Sequence, residues 1–206
     1  MKNKIQNMDN SIKIGWVGMG IYALLMIIAM FNYPNYNQFD QTLSKLGARW
    51  PSSLYFSLGI IIGAFIIIWL LILIKDDVFT LFPRKRRKFR IIGIIIAFMV
   101  ICMIGVVIFP SVGVTSDIHD VIAVTLFILM AIVTSWVSSI ARSSIQEWNK
   151  YISFLGYACS ISVTILGLLL IFWEFGPLVQ KITVVEFNIW SLLVVYEFKR
   201  HVVIGH

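Results

Sequence analysis

Residues 54–74 read LYFSLGIIIGAFIIIWLLILI, residues 91–109 read IIGIIIAFMVICMIGVVIF, and between them lies KDDVFTLFPRKRRKFR (75–90). Each apolar run is close to the roughly 20 residues that an α-helix needs to cross a bilayer. The segment between them is rich in Lys and Arg, which resist translocation and mark cytoplasmic loops. This stretch therefore predicts a helical hairpin in a membrane, with its connection in the cytoplasm.

The same pattern continues in both directions along the chain. Of the 17 Lys and Arg residues, 14 lie on the side of the 75–90 connection, and both tails belong to that side. We therefore predict an all-α, multi-pass protein of the cell (plasma) membrane, with one domain over residues 1–206 and both termini in the cytoplasm. Its six predicted transmembrane helices cover about 12–31, 54–74, 91–109, 118–140, 151–173 and 182–198.

The composition supports a membrane protein and disfavours other classes. The chain is 59% hydrophobic and 13% charged, whereas charged residues make up about 25% of a soluble domain. The net charge of +7 does not indicate nucleic-acid binding, because no such motif accompanies it. A basic run directly before a transmembrane helix instead contacts anionic headgroups at the cytoplasmic face. The predicted headgroup contacts are Arg84, Lys85, Arg86, Arg87, Lys88 and Arg90.

Small residues predict where the helices approach one another closely. Gly59 and Gly63 are spaced four apart in the second segment, and Gly156 and Ser160 share this spacing in the fifth. Cys102 and Cys159 lie inside apolar segments without metal-ligand spacing, so no cofactor is predicted. The other polar residue of note near the cytoplasmic side is Glu197, which we interpret as a charged helix end.

The connection between the first two segments has a helical pattern of its own. Phe39, Leu43 and Leu46 form an apolar stripe, and Asp40 and Ser44 share a neighbouring polar face. This predicts a short helix over about 38–46, lying in the outer interface as a lid or brace over the bundle.

Two further polar positions are predicted near the outer side. His119 is flanked by Asp117 and Asp120, a group that could hold a metal ion only with ligands from elsewhere, such as Asp40 or Glu174. Glu186 lies inside the last segment, where a carboxylate costs about 2.5–3.5 kcal/mol and normally faces a partner or a cavity. The predicted partners of Glu186 are Arg49, Lys45, Lys181 and His119.

Several of these features together resemble a known family. They are QTLSKLG (41–47) before FSLG (56–59), VIFP (107–110), His119 opening the fourth segment, and Glu186 in the sixth. This order is similar to that of the family called domain of unknown function 998, prokaryotic six-helix membrane proteins with a Ser-acidic-Leu-Gly motif, a Gly-x-Phe-Pro stretch, a histidine and a late glutamate. The resemblance covers essentially the whole chain and implies a six-helix fold in contact with lipid, without implying a reaction.

The chain departs from the family pattern at two places. Lys45 stands where the family usually has Asp or Glu, and Val106 and Val107 stand where glycine is common. If an acid at the first position were catalytic, this chain would lack it. The family is also distantly similar to FRAG/DRAM-type membrane proteins of eukaryotes, some of which act in lipid-anchor remodelling and autophagy.

Three classes of function are compatible with these residues. The first is a protein that binds or senses lipid, or assists a membrane-protein partner, through an outward-facing pocket. The second is an intramembrane lipid hydrolase or transferase with Ser44 as nucleophile, His119 as base and Asp40, Asp117 or Asp120 orienting it. The third is a small-molecule transporter. The predicted pocket is lined by Asp40, Ser44, Arg49, His119 and Glu186.

Overall fold

The computed structural model describes the backbone of residues 2–172 and 176–204, and the side chains of residues 12–166 and 177–202. Within these ranges the chain forms six long α-helices and no strand, so the predicted all-α fold is confirmed. Three short 3-10 helices lie in the connections, at Leu43–Ala48, Pro83–Lys85 and Gly113–Thr115. The helices are α1 (Lys2–Asn32), α2 (Ser52–Leu81), α3 (Arg86–Ile108), α4 (Ser116–Ser144), α5 (Lys150–Phe172) and α6 (Gly176–Ile204).

Several helices are longer than the apolar runs that predict them. The predicted sixth segment, 182–198, lies within a helix of 29 residues. The second segment continues from 74 to Leu81, because charged side chains are accommodated in a helix once it leaves the apolar layer. α2 then ends because Pro83 restricts Phe82, whose φ of −125° and ψ of 58° lie outside the helical region.

Five of the helical ranges within the described residues are long and apolar enough to cross a membrane. They are Ile12–Asn32, Ser52–Leu81, Pro83–Ile108, Gly113–Ser144 and Pro177–Val202, while Lys150–Leu166 in α5 is a shorter apolar helix. Large apolar side chains face outward along these helices, as Phe65, Phe98 and Phe154 show with exposed fractions of 74%, 57% and 71%. Surfaces of this kind are stable in lipid rather than water. The protein is therefore a multi-pass membrane protein.

The helices pack in chain order, and α6 closes the bundle by contacting α1 and α2 as well as α5. The helix connections in the described residues lie at two ends of the bundle. The end that carries the α2–α3 and α4–α5 connections is called the basic end below, because the run from Arg84 to Arg90 lies there. The other end is called the opposite end.

A buried polar seam joins α4, α5 and α6. The indole N–H of Trp190 donates to Ser138 Oγ at 3.2 Å, and Ser153 Oγ donates to the Ser138 carbonyl at 3.1 Å. Gly156 lies between these groups, and a Cβ on it would stand 2.1 Å from Ser138 Oγ and 3.0 Å from the Thr134 carbonyl. Hydrogen bonds and close backbone approach replace the hydrophobic drive that helices lack in lipid.

The basic end contains a buried carboxylate that the sequence analysis placed at the surface. Glu197, interpreted above as a charged helix end, is only 2% exposed. Its carboxylate accepts a hydrogen bond from Arg200 Nη2 at 2.8 Å and one from the Asn149 backbone N–H at 3.3 Å. Trp148, in the same α4–α5 connection as Asn149, stacks on His201 of α6 at 6.2 Å. That interpretation was wrong because the α4–α5 connection folds over the end of α6.

The predicted helix over 38–46 is also different in the structure. Residues 38–40 form a turn, and a 3-10 helix follows at Leu43–Ala48. The Asn37 side chain accepts from the Phe39 N–H at 2.9 Å, which competes with helical bonding. In addition, the carbonyls of Gln38 and Gln41 accept hydrogen bonds from Lys181 of α6. The predicted apolar stripe does not face one side, because Leu46 is fully buried whereas Phe39 is 60% exposed.

Candidate functional site

At the opposite end, the connection between α1 and α2 is fastened to α6. Lys181 Nζ donates to the carbonyls of Gln38 and Gln41 and lies 5.2 Å from the centre of the Tyr36 ring. Burial raises the pKa of Tyr36 to about 12, so its hydroxyl stays protonated and donates to the Gln41 carbonyl. Gln180 Oε1 also accepts from the Leu43 N–H at 2.9 Å. The connection is therefore a brace, held chiefly by Lys181.

Replacing Lys181 with methionine is expected to loosen this brace without unfolding the bundle. The change removes two charge-assisted hydrogen bonds, each contributing about 1.5–3 kcal/mol. Hydrogen exchange of the amides in residues 38–46 should become at least tenfold faster, with little change in α2 or α3. Lys45→Met is the matched control, because Lys45 is exposed and its ammonium forms no ion pair in the described part of the chain. Unchanged exchange in Lys181→Met would contradict the assignment.

Three residues of the predicted outward-facing pocket lie at the surface of this brace or close to it. Asp40 is exposed, and its carboxylate accepts from the Asn37 side-chain amide. Arg49 is exposed and forms no ion pair within the described residues. Ser44 is half-buried, with its hydroxyl 3.0 Å from Thr42 Oγ1 and its carbonyl accepting from Ser111 Oγ. None of the three has a hydrogen bond to another predicted pocket residue.

His119 lies deeper, on the inner face of the first turn of α4. It is 1% exposed, and its Nδ1 lies 2.6 Å from the Phe109 carbonyl at the end of α3. Since a carbonyl only accepts, Nδ1 carries the proton of this bond, and the buried Nε2 has no hydrogen-bond partner in the described residues. Asp117 and Asp120 are exposed on other faces of the helix. Among the described residues no group of three His, Cys, Asp or Glu side chains could hold a metal ion.

Glu186 of α6 lies on the side of its helix that faces Cys159 of α5. It is half-buried, and its Oε2 is buried without a hydrogen-bond partner in the described part of the chain. None of its predicted partners forms an ion pair with it there. Cys159 Sγ of α5 lies 3.9 Å from the carbonyl of Thr183, three residues before Glu186 in α6. Glu174, a further predicted ligand, lies outside the described residues. No hydrogen bond of the described residues joins His119 and Glu186.

The predicted headgroup residues divide into two groups at the basic end. Lys85 Nζ donates to the hydroxyls of Ser143 and Ser144, and Arg86 Nε donates to the Phe79 carbonyl at 3.3 Å. These two cations therefore help to fix the α2–α3 connection against α4 and α2. The other four, Arg84, Arg87, Lys88 and Arg90, are exposed and form no ion pair in the described ranges.

An apolar cavity of about 540 Å³ lies between α2, α3, α4 and α6, in the half of the bundle next to the basic end. Its wall is almost entirely hydrocarbon and aromatic carbon. Representative buried residues are Leu70 of α2, Ile92 of α3, Val133 of α4 and Val194 of α6. The size lies within the roughly 300–1,000 Å³ of small-molecule sites in proteins.

Aromatic side chains separate this cavity from the water at the basic end. Phe82 stacks on Phe89 at 4.9 Å, and Phe198 packs edge-on against Phe82 at 5.7 Å and lies 5.1 Å from Trp148. Phe89 and Phe198 form part of the cavity wall. The cavity is thus closed toward the α2–α3 and α4–α5 connections.

The cavity opens sideways instead, between α2 and α3. The exposed members of its wall belong to these two helices and include Ile94, Ala97, Lys75 and Arg90. The first two are apolar and face the surroundings of the bundle, where the membrane lies. The sequence could indicate only the edge of the opening nearest the basic end, because Lys75 follows one apolar run and Arg90 precedes the next. The opening therefore faces the acyl-chain region of a bilayer.

Comparison with known proteins agrees with this architecture. A family model described as a protein of unknown function, DUF998, matches residues 16–196. No curated protein and no solved structure matches the chain. The matched range reaches from α1 to α6, which confirms the resemblance found in the sequence. The chain therefore belongs to the DUF998 family.

Proposed function

We propose that this protein binds a membrane lipid and holds one of its acyl chains in the cavity between α2, α3, α4 and α6. The observation that carries the proposal is the apolar cavity itself, which opens toward the bilayer. An acyl chain already lies in that layer, so it can enter without crossing water. Moving the acyl chain from the bilayer into the cavity is favourable because the chain makes van der Waals contacts with wall atoms that would otherwise have none.

The chemistry of the wall supports binding rather than catalysis. In its described part, the wall contains no carboxylate, imidazole or thiol, and its one hydroxyl is Ser191. That hydroxyl donates to the Asn188 carbonyl of its own helix at 2.9 Å. No nucleophile and base therefore meet at the cavity. The hydrolase alternative also lacks support at the opposite end, where Ser44 bonds to Thr42 and His119 bonds to Phe109.

The proposal differs in location from the outward-facing pocket predicted from the sequence. That pocket required five side chains to converge, whereas the cavity requires only apolar walls and an opening. The distribution of Lys and Arg supports an orientation with the basic end in the cytoplasm. In the plasma membrane, the cavity then takes its lipid from the inner leaflet.

Filling the cavity tests this proposal. A Cβ on Gly93 meets no atom within 4 Å, and Gly93 lies in the cavity wall, so Gly93→Leu should occupy the space without a clash. We expect this variant to fold normally and to lose at least 90% (about a tenfold drop, equivalent to about 1.4 kcal/mol) of the tightly held lipid seen by native mass spectrometry.

The matched control is Gly20→Leu. Gly20 is exposed on α1, lies outside the cavity wall, and also has no atom within 4 Å of an added Cβ. Both variants place the same side chain on a transmembrane helix, so only the cavity distinguishes them. Equal lipid retention by the two variants and the unmodified protein would contradict acyl-chain binding in the cavity.

A further inference from the structure

The two charged residues in the described wall of the cavity are both cations, and they lie at a similar depth. Lys75 precedes the end of α2 by six residues, about 9 Å of helix rise, and Arg90 follows the start of α3 by four residues, about 6 Å. Both helices turn back at the same connection, so the two side chains mark one level, at the boundary between acyl chains and headgroups.

Neither cation is neutralised by a carboxylate within the described residues. Lys75 and Arg90 are exposed and form no ion pair in the described part of the chain. Other cations of the basic end do have partners. Lys199 pairs with Asp77 at 2.7 Å, and Arg200 pairs with Glu197 at 2.8 Å. The acidic residue beside Lys75 in sequence, Asp76, is exposed and forms no ion pair in the same ranges.

An apolar cavity beneath two unpaired cations has the charge distribution that an anionic phospholipid complements. The acyl chain contacts hydrocarbon, while the phosphate meets a guanidinium and an ammonium. Arginine binds phosphate oxygens through two parallel N–H donors, and lysine binds them as a point charge. A sterol carries no charge and would leave both cations without a counter-charge.

We propose that the site takes an anionic phospholipid from the leaflet at the basic end, with its phosphate between Lys75 and Arg90 and one acyl chain in the cavity. This proposal rests on the proposed function, because it names the lipid class that the cavity holds. The exposed cations Arg84, Arg87 and Lys88 raise the local concentration of such lipids near the opening. Selection at the opening itself depends on Lys75 and Arg90.

The test uses the full-length protein in nanodiscs of equal parts phosphatidylglycerol and phosphatidylcholine with identical acyl chains. Lipid that stays bound after release is identified by native mass spectrometry. The double variant Lys75→Gln/Arg90→Gln is compared with Lys13→Gln/Arg142→Gln, which removes one lysine and one arginine from exposed positions on the basic side, outside the cavity wall. We expect the unmodified protein and the control to retain phosphatidylglycerol preferentially. In Lys75→Gln/Arg90→Gln, the ratio of retained phosphatidylglycerol to retained phosphatidylcholine should fall by about tenfold or more.

The outcomes separate the two proposals. Equal preference in all three proteins, or an equal loss in the control, would overturn the headgroup assignment while leaving acyl-chain binding intact. Absence of retained lipid in the unmodified protein would overturn acyl-chain binding, and the headgroup assignment with it. The conservative variant Lys75→Arg/Arg90→Lys keeps both charges. It should keep the preference, which separates loss of charge from misfolding.

Discussion

Replacing Gly156 with leucine is expected to prevent stable folding, and even Gly156→Ala should lower the free energy of unfolding by about 1–3 kcal/mol. A Cβ at this position would lie 2.1 Å from Ser138 Oγ, 2.5 Å from Trp190 Nε1 and 3.0 Å from the Thr134 carbonyl. The last of these is a backbone atom in α4, so it cannot rotate away as a side chain can. α5 would have to move away from α4, and the Trp190–Ser138 hydrogen bond would break.

Thermal unfolding in detergent measures this effect. Gly20→Ala and Gly93→Ala are suitable controls, because an added Cβ at either glycine meets no atom within 4 Å. Like Gly156→Ala, these two changes replace a helical glycine with alanine and so reduce the freedom of the unfolded backbone. They should stabilise the protein slightly or leave its stability unchanged. If Gly156→Ala unfolds at the same temperature as these controls, α4 and α5 do not approach each other as closely as described.

Replacing Glu197 with alanine is expected to have the second large effect, about 3 kcal/mol of lost stability. The carboxylate is buried, and it accepts hydrogen bonds from Arg200 and from the Asn149 N–H, which begins the turn into α5. Removing it leaves a guanidinium and a backbone N–H without their acceptor. The estimate is at the low end for a buried pair, because the Arg200 side chain is 39% exposed and can turn toward water.

Two further variants make this prediction specific. Glu147→Ala removes an exposed carboxylate from the same end of the bundle and should change stability by no more than about 0.5 kcal/mol. Glu197→Gln keeps an acceptor oxygen of nearly the same shape, so its stability should fall between those of the alanine variant and the unmodified protein. A Glu197→Ala protein as stable as Glu147→Ala would show that the buried carboxylate does not hold α6 to the α4–α5 connection.

The membrane fold was predictable because length and hydropathy act along the whole chain. Runs of about 20 apolar residues separated by charged connections leave few alternatives to helices that cross a bilayer. Helix ends were less predictable. The 75–81 segment looks like a connection by composition, yet it continues α2 up to the constraint from Pro83. The brace over 38–46 depends on Lys181, a residue about 140 positions away, so no local pattern could reveal its turn.

The cavity could not be predicted from the sequence for a related reason. α2 is apolar on nearly all sides, so nothing in its sequence distinguishes Leu70, which lines the cavity, from Phe65, which faces lipid. Polar residues inside apolar segments are easier to recognise in the sequence than a cavity is, but they indicated a different place from the cavity proposed as the site. His119 and Glu186 are both on the half of the bundle where they were predicted, but His119 bonds to the end of α3 and Glu186 faces Cys159 of α5. Their rotation is set by packing and not by spacing.

Photo-crosslinking with a phosphatidylglycerol that carries a diazirine in its acyl chain tests the central proposal most directly. If the acyl chain occupies the cavity, peptide mapping should find crosslinks on buried wall residues such as Leu70, Ile92 and Val194. Gly93→Leu should remove these crosslinks, and Gly20→Leu should not. Crosslinks confined to lipid-facing positions such as Phe65 and Phe98, unchanged in Gly93→Leu, would contradict lipid binding in the cavity.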